Sequence, residues 1–254
     1  MILRKSGWNL SPNRPAWPDG EVHVWRVPVD WLASSIDGLE RTLSADEEQR
    51  MRRFRFDDDR KRYLVGRGLL RLLLGRYLEL RPQELRFDYT PFGKPHLAAN
   101  VAQRSLEFNV SHSGELLLIA IAAGRAVGVD VEQVRADIEV GAIAAHFFSS
   151  NEQDTLGKLA TALQIDAFFN CWTRKEAYIK AKGDGLSLPL DQFDVSLMPD
   201  EEARLLETRP DPDEARRWRL ANLDVADGYK AALAAEGSGW TLRCWDWRPD
   251  RNAQ

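Results

Sequence analysis

The chain is poor in cysteine: Cys171 and Cys244 are the only two in 254 residues. Neither sits in a CxxC spacing, so a cysteine-built zinc site is excluded, and a chain of this length does not rest on one disulfide. Both are expected to be reduced, buried thiols. Long apolar runs are missing as well. No stretch approaches the roughly 20 residues of a membrane span, and the opening MILRKSGWNLSPNRPAWPDG has no apolar signal core. A cytoplasmic protein without membrane contact is the expectation. A strong net charge is also absent. Lys and Arg total 35 against 39 Asp and Glu, a formal balance of −4, which excludes a protein that holds nucleic acid by bulk charge. With 44% apolar and 29% charged residues, the chain is long enough for one large domain or two smaller ones with a real core.

Local patterning gives the element order. Residues 1–20 are aperiodic and read as an irregular arm, and EVHVWRV (21–27) alternates as a strand does. Ser44 and Glu47 make the S-x-x-E capping box of a helix running to about Phe54. Asp57–Asp59 open a second helix to about Leu78, with Leu64, Leu69, Leu72, Leu73 and Leu80 as its stripe. RFDYTPFGKPHL (86–97) reads as a short strand, a turn and an exposed basic loop. Residues 105–122 read as two strands around Ser113-Gly114, and 126–134 as a third. Helices are predicted over 138–146, 150–163 (a second capping box, Ser149 and Glu152) and 166–182, the last closed by Gly183 and Gly185. Segments 193–198, 216–222, 227–235 and 240–247 read as strands of a closing antiparallel sheet. Both halves are α+β, with no residue-level repeat between them, and the seam falls at Gly124 to Gly128.

Four clusters carry chemistry. In GVDVE (128–132) Asp130 and Glu132 share one strand face and the valines the other. Two carboxylates on one face are tolerated when that face is wet, as at a solvated sheet edge, or when a cation lies between them. In FFNCWTRKEAYIKAKGDG (168–185), Trp172, Glu176 and Lys180 share a helix face. An ordinary Glu–Lys pair one turn apart accounts for the last two equally well. In EFNVSHSGE (107–115), His112 stands between two serines at a strand end, placed to bond a phosphate. A hydrolase nucleophile is disfavoured because no G-x-S-x-G elbow is present. Arg50, Arg52, Arg53, Arg55, Arg60, Lys61, Arg62, Arg67, Arg71 and Arg76, with Lys94 in the GKP loop, make either a solvated surface or a grip for polyphosphate or an acidic protein.

In order along the chain, RRF with its following helix (52–66), FGKP (92–95), FNVSHSG (108–114), GVDVE (128–132), FFS (147–149) and WTRKEAYIK with GDGLSLP (172–189) resemble the Sfp-type 4′-phosphopantetheinyl transferases. GVDVE alone is weak, but its spacing with WTRKEAYIK is specific. The resemblance implies an α+β fold of two similar α/β subdomains related by pseudo-twofold symmetry, here 1–124 and 125–254, with the active site in the cleft between them. It implies transfer of 4′-phosphopantetheine from coenzyme A to a serine of an apo acyl, peptidyl or aryl carrier protein, releasing adenosine 3′,5′-bisphosphate. Mg²⁺ (with Mn²⁺ as a substitute) would be held by Asp130, Glu132 and Glu176, oxygen donors suited to a hard cation. Glu176 would take the serine proton and Lys180 would neutralise the pyrophosphate. Coenzyme A would be bound by Arg50, Arg62, Lys94, Ser111, His112 and Lys180. Glu47 departs from the family, where a basic residue can stand, and is explained by its capping box. Some of Arg52, Arg53 and Arg55 would meet the acidic carrier. A monomer is implied. Two other classes compete: a non-catalytic module binding coenzyme A, and a metal-dependent phosphohydrolase using the same carboxylates. Neither accounts for the ordered motifs.

Overall fold

The computed structural model describes residues 7–28, 36–99, 104–183 and 185–247. Asp184 of the GDG motif, the first six residues and the tail RPDRNAQ lie outside the described residues. The elements are β1 (Trp8–Leu10), β2 (Glu21–Pro28), α1 (Ile36–Glu40), α2 (Ala45–Arg52), α3 (Asp57–Leu78), β3 (Phe87–Tyr89), β4 (Pro95–Leu97), β5 (Leu106–Ser113), β6 (Leu116–Ala123), β7 (Val127–Gln133), α4 (Val140–Phe147), α5 (Ser150–Gly157), α6 (Thr161–Lys182), β8 (Phe193–Val195), β9 (Leu205–Thr208), α7 (Glu214–Arg217), β10 (Trp218–Asn222), β11 (Tyr229–Glu236) and β12 (Thr241–Asp246).

One plan is used twice. A strand, two short helices, a 22-residue helix, a small hairpin and two antiparallel strands make β2-α1-α2-α3-β3-β4-β5-β6, and again β7-α4-α5-α6-β8-β9 followed by β10 and β11, with the short α7 inserted. In both sheets the last strand lies in the middle: the orders run β2-β6-β5 and β7-β11-β10. A duplication absent from residue identities is therefore plain in topology. The two sheets pack face to face over a core of Val22, Val24, Leu118, Ala120, Val129, Val131 and Leu233. The outer face of the first sheet is covered by α3 through Leu69, Leu73, Trp25 and Ile119. The outer face of the second is covered by α6 through Ala177, Ile179, Ala232 and Ala234.

The ends of α2 and α5 share a device. The reciprocal capping boxes at Ser44/Glu47 and Ser149/Glu152 form as expected. Each glutamate is then buried and meets cations from the long helix: Glu47 pairs with Arg67 and Arg71, and Glu152 with Lys175 at 2.7 Å. Burial alone would raise Glu47, but the Arg71 hydrogen bond and the Arg67 charge outweigh it and hold its carboxyl below the usual range.

Several expectations need correction. The segment at 240–247 does not close the second sheet. As β12 it returns to the first, parallel to β2, and β1 pairs parallel to β12. The reason lies in β2, whose residues 22–27 are all buried, so its second edge needs a partner. Arg26 binds Asp246 across that pairing at 2.7 Å. The arm predicted as irregular thus contains a short strand. The helix expected over 150–163 stops at Gly157, a poor helix former, and α6 starts at Thr161. The expected strand over 193–198 is three residues long and pairs with β9, which local patterning did not reveal. The short strand expected within 86–97 forms as β3, but the stretch after the turn, expected as a loop, contains β4 and pairs with it.

Candidate active site

The GVDVE strand divides its side chains cleanly. Val127, Val129 and Val131 are fully buried between the sheets. Gly128, Asp130 and Glu132 face α6. A Cβ at Gly128 would collide with the Ala177 carbonyl and the Ala181 backbone, so glycine lets the helix lie directly on the strand. That close approach brings Glu176 and Lys180, one turn apart on α6, over Asp130 and Glu132.

Asp130 is 2% exposed, which removes the solvated-edge alternative for its carboxylate. Its Oδ1 accepts from Lys180 Nζ at 2.6 Å and from Ser111 Oγ at 2.9 Å. Its Oδ2 is buried with no hydrogen-bond partner among the described residues. A buried, unpaired carboxylate oxygen is costly and is the kind of group that a cation completes. Burial raises the Asp130 carboxyl and Glu132 adds to the rise, while the Lys180 charge opposes it. Glu176, half-buried, is also raised, by burial first and then by the Asp130 charge. The three carboxylates thus share one electrostatic field. Among the described residues, no group of three or more His, Cys, Asp and Glu side chains is drawn close enough to form a ready metal cage. The donor chemistry nevertheless fits a hard divalent cation: three carboxylates at one edge, one with a free buried oxygen. The simple Glu176–Lys180 pair is replaced by another partner, since the Lys180 ammonium bonds Asp130 and Ser111.

The basic groups divide. Arg62 and His112 line one cleft of about 330 Å³ together with Phe54, Tyr63, Val110 and Pro95. Arg50 lies over the Tyr63 ring at 5.8 Å, at the border of that cleft. Burial lowers the His112 imidazole, and the nearby Arg62 and Lys180 charges push it the same way. Lys94 is elsewhere. Its Nζ donates to Ala181 O at 3.0 Å and Val127 O at 3.3 Å, at the C-terminal end of α6, and it lines a separate cavity with Arg125 and Lys182. Ser111 is 5% exposed, and its hydroxyl donates to Asp130 while accepting from Lys180 and the Val131 amide. That uses all three of its bonding positions.

Residues 126–234 match the 4′-phosphopantetheinyl transferase superfamily, and residues 31–124 match the 4′-phosphopantetheinyl transferase N-terminal family. The chain is 39% identical over 238 residues to the 4′-phosphopantetheinyl transferase HetI of Nostoc sp., covering 94% of this chain and 97% of that one. It is 32% identical over 194 residues to the 4′-phosphopantetheinyl transferase Sfp of Bacillus subtilis, covering 76% and 82%. The chain belongs to the 4′-phosphopantetheinyl transferase superfamily. It is an enzyme of a family that uses coenzyme A as substrate and acts on carrier protein domains.

In this transferase the WTRKEAYIK motif does two jobs. Arg174 and Lys175 are fully buried and structural. Arg174 donates to Ser196 O, Glu201 O and Asn222 Oδ1, and burial lowers it to about 10. Lys175 donates to Leu190 O and Phe193 O besides Glu152. Glu176 and Lys180 lie instead beside the β7 carboxylates. Sequence reasoning missed Tyr63 in the cleft wall, and it missed Asn109 and Ser113. The N-x-S-x-S alternation inside FNVSHS was a signal for the last two, since period two places Asn109, Ser111 and Ser113 on one strand face.

Proposed function

We propose that this transferase moves the 4′-phosphopantetheine group of coenzyme A to a serine of an apo acyl, peptidyl or aryl carrier protein in a Mg²⁺-dependent reaction that releases adenosine 3′,5′-bisphosphate. The observation that carries the reading is the buried, unpartnered Asp130 Oδ2 beside Glu132 and Glu176. Asp130, Glu132 and Glu176 would hold Mg²⁺ (Mn²⁺ could replace it), which when bound supplies Lewis-acid stabilisation of the pyrophosphate oxygens. The serine Oγ forms a bond to the pantetheine-bearing phosphorus, the phosphoanhydride P–O bond breaks, and the electron pair leaves on the nucleotide phosphate. Glu176 accepts the serine proton, a task its raised carboxyl pKa favours. The Lys180 ammonium offsets charge building on the leaving phosphate.

Arg62, His112 and Arg50 around the 330 Å³ cleft are read as the grip on the nucleotide phosphate. Lys94 enters as the tie between the β3–β4 hairpin and the end of α6. Arg52, Arg53 and Arg55 are exposed on the same half and would attract an acidic carrier, an effect weakened by salt. The reading takes the protein as a cytoplasmic monomer that binds neither nucleic acid nor membrane. Its working units are 1–124 for nucleotide and carrier contact and 125–254 for the carboxylates. Among the described residues no helix is long and apolar enough to cross a membrane.

The test is to incubate the protein with coenzyme A, Mg²⁺ and a panel of apo carrier proteins and weigh the carriers. A phosphopantetheine mass gain is expected on at least one. Folded enzyme that adds it to none rejects the reading.

A further inference from the structure

Strands β5 and β7 are both edges of their sheets, yet they lie side by side with no backbone ladder between them. An exposed edge is a row of unpaired N–H groups. Here side chains meet them in strict alternation: Val129 N donates to Asn109 Oδ1 at 2.9 Å, Val131 N to Ser111 Oγ at 3.3 Å, and Gln133 N to Ser113 Oγ at 3.0 Å. The two serines then turn their protons onto the carboxylates of the same strand. Ser111 Oγ donates to Asp130 Oδ1 at 2.9 Å, and Ser113 Oγ to Glu132 Oε2 at 2.8 Å. Asn109 touches neither carboxylate.

We propose that Asn109, Ser111 and Ser113 are positioning residues that splice the two sheets, and that Ser111 and Ser113 thereby aim Asp130 and Glu132. Each serine bonds both an amide and a carboxylate of β7, and Ser111 also accepts from Lys180. Each oxygen is pinned by a β7 amide, so the direction of its O–H, and of the carboxylate receiving it, is set by the docking of one half on the other. Partners of this kind fix the orientation of metal-ligating groups. The halves must dock before the carboxylates are aligned. This rests on the reading of Asp130 and Glu132 as cation ligands.

The test uses the full chain with saturating coenzyme A, titrated with Mg²⁺ by calorimetry, together with backbone amide exchange by NMR in the absence of metal. Ser113→Ala is expected to speed exchange at Gln133 and to weaken Mg²⁺ binding by about tenfold. Ser113→Thr, which keeps the hydroxyl, restores both. Asn109→Ala is expected to speed exchange at Val129 while leaving the Mg²⁺ constant unchanged. A folded Ser113→Ala protein with wild-type Mg²⁺ binding overturns the aiming role. Unchanged exchange at Gln133 overturns the splice. If the wild type itself takes up no Mg²⁺, the metal reading and the aiming role fall together, and the exchange result still decides the splice.

Discussion

The two halves share a scaffold and put opposite things at the same place. On the face of β2 turned to α3 stand Trp25 and Val27, both fully buried among the α3 leucines. The Trp25 indole donates to Tyr77 Oη of α3 at 3.0 Å. On the face of β7 turned to α6 stand Gly128, Asp130 and Glu132. The large side chains hold α3 off its sheet, whereas Gly128 lets α6 come down onto the backbone of β7. In one half this place is filled. In the other, a glycine and two carboxylates replace the filling, and Glu176 and Lys180 of α6 come to lie beside those carboxylates. The glutamate hubs, by contrast, are structural in both halves, with Glu47 holding two arginines and Glu152 one lysine.

That contrast can be broken from either side. Trp25→Ala should cost about 3–5 kcal/mol of stability, the range for emptying a large aromatic site, and leave kcat for the folded fraction unchanged. Urea unfolding alongside steady-state kinetics checks both. Glu47→Ala should cost about as much, because Arg67 and Arg71 stay buried without a counter-charge. The milder Glu47→Gln isolates the pH effect. The folded-state pKa of Glu47 lies below its unfolded value, so its contribution is complete above about pH 4.5, the ordinary Glu range, and is lost as pH falls through the depressed value. Wild-type stability should therefore fall more steeply than that of Glu47→Gln below that point. Parallel curves would show that the hub does not titrate.

Smaller effects belong to the close-packed helix. Gly128→Ala should cost about 1–3 kcal/mol through overpacking and also lower kcat, because the helix that must move carries Glu176 and Lys180. A loss of stability with no loss of kcat would mean that the helix position does not matter to the site. Lys94→Met should cost only about 1 kcal/mol, the scale of the hydrogen bonds it makes at the end of α6, with little change in the KM for coenzyme A. A large rise in that KM would return Lys94 to the nucleotide grip.

Much of this was legible because it is local. The capping boxes, the long helices, the β5–β6 turn at Gly114 and the period-two face of GVDVE are set by neighbours within a few residues. The expectation that groups Glu176 with Asp130 and Glu132 comes from the ordered motifs and not from periodicity. What escaped depends on partners far along the chain. β12 reads like any amphipathic strand, and nothing in it names β2 as its neighbour. The buried setting of Arg174 and Lys175 was not legible in WTRKEAYIK, because their carbonyl partners come from Leu190 to Glu201. Ser111 and Lys94 were assigned to coenzyme A from the ordered motifs, which carry no sign of their contacts within the protein. Their bonds to Asp130, Val131 and the end of α6 come only with the docking of the two halves.

The central claim is that the face of β7 turned to α6 carries the chemistry and the matching face of β2 does not. The direct measurement is the intact mass of an apo carrier protein incubated with coenzyme A, Mg²⁺ and either Asp130→Asn or Trp25→Ala, each verified as folded. The account predicts that Trp25→Ala adds phosphopantetheine at the wild-type rate. It predicts that Asp130→Asn is slowed about 10³-fold, the several kcal/mol expected when charge stabilisation at the pyrophosphate is lost. A carrier modified at the wild-type rate by Asp130→Asn would contradict it.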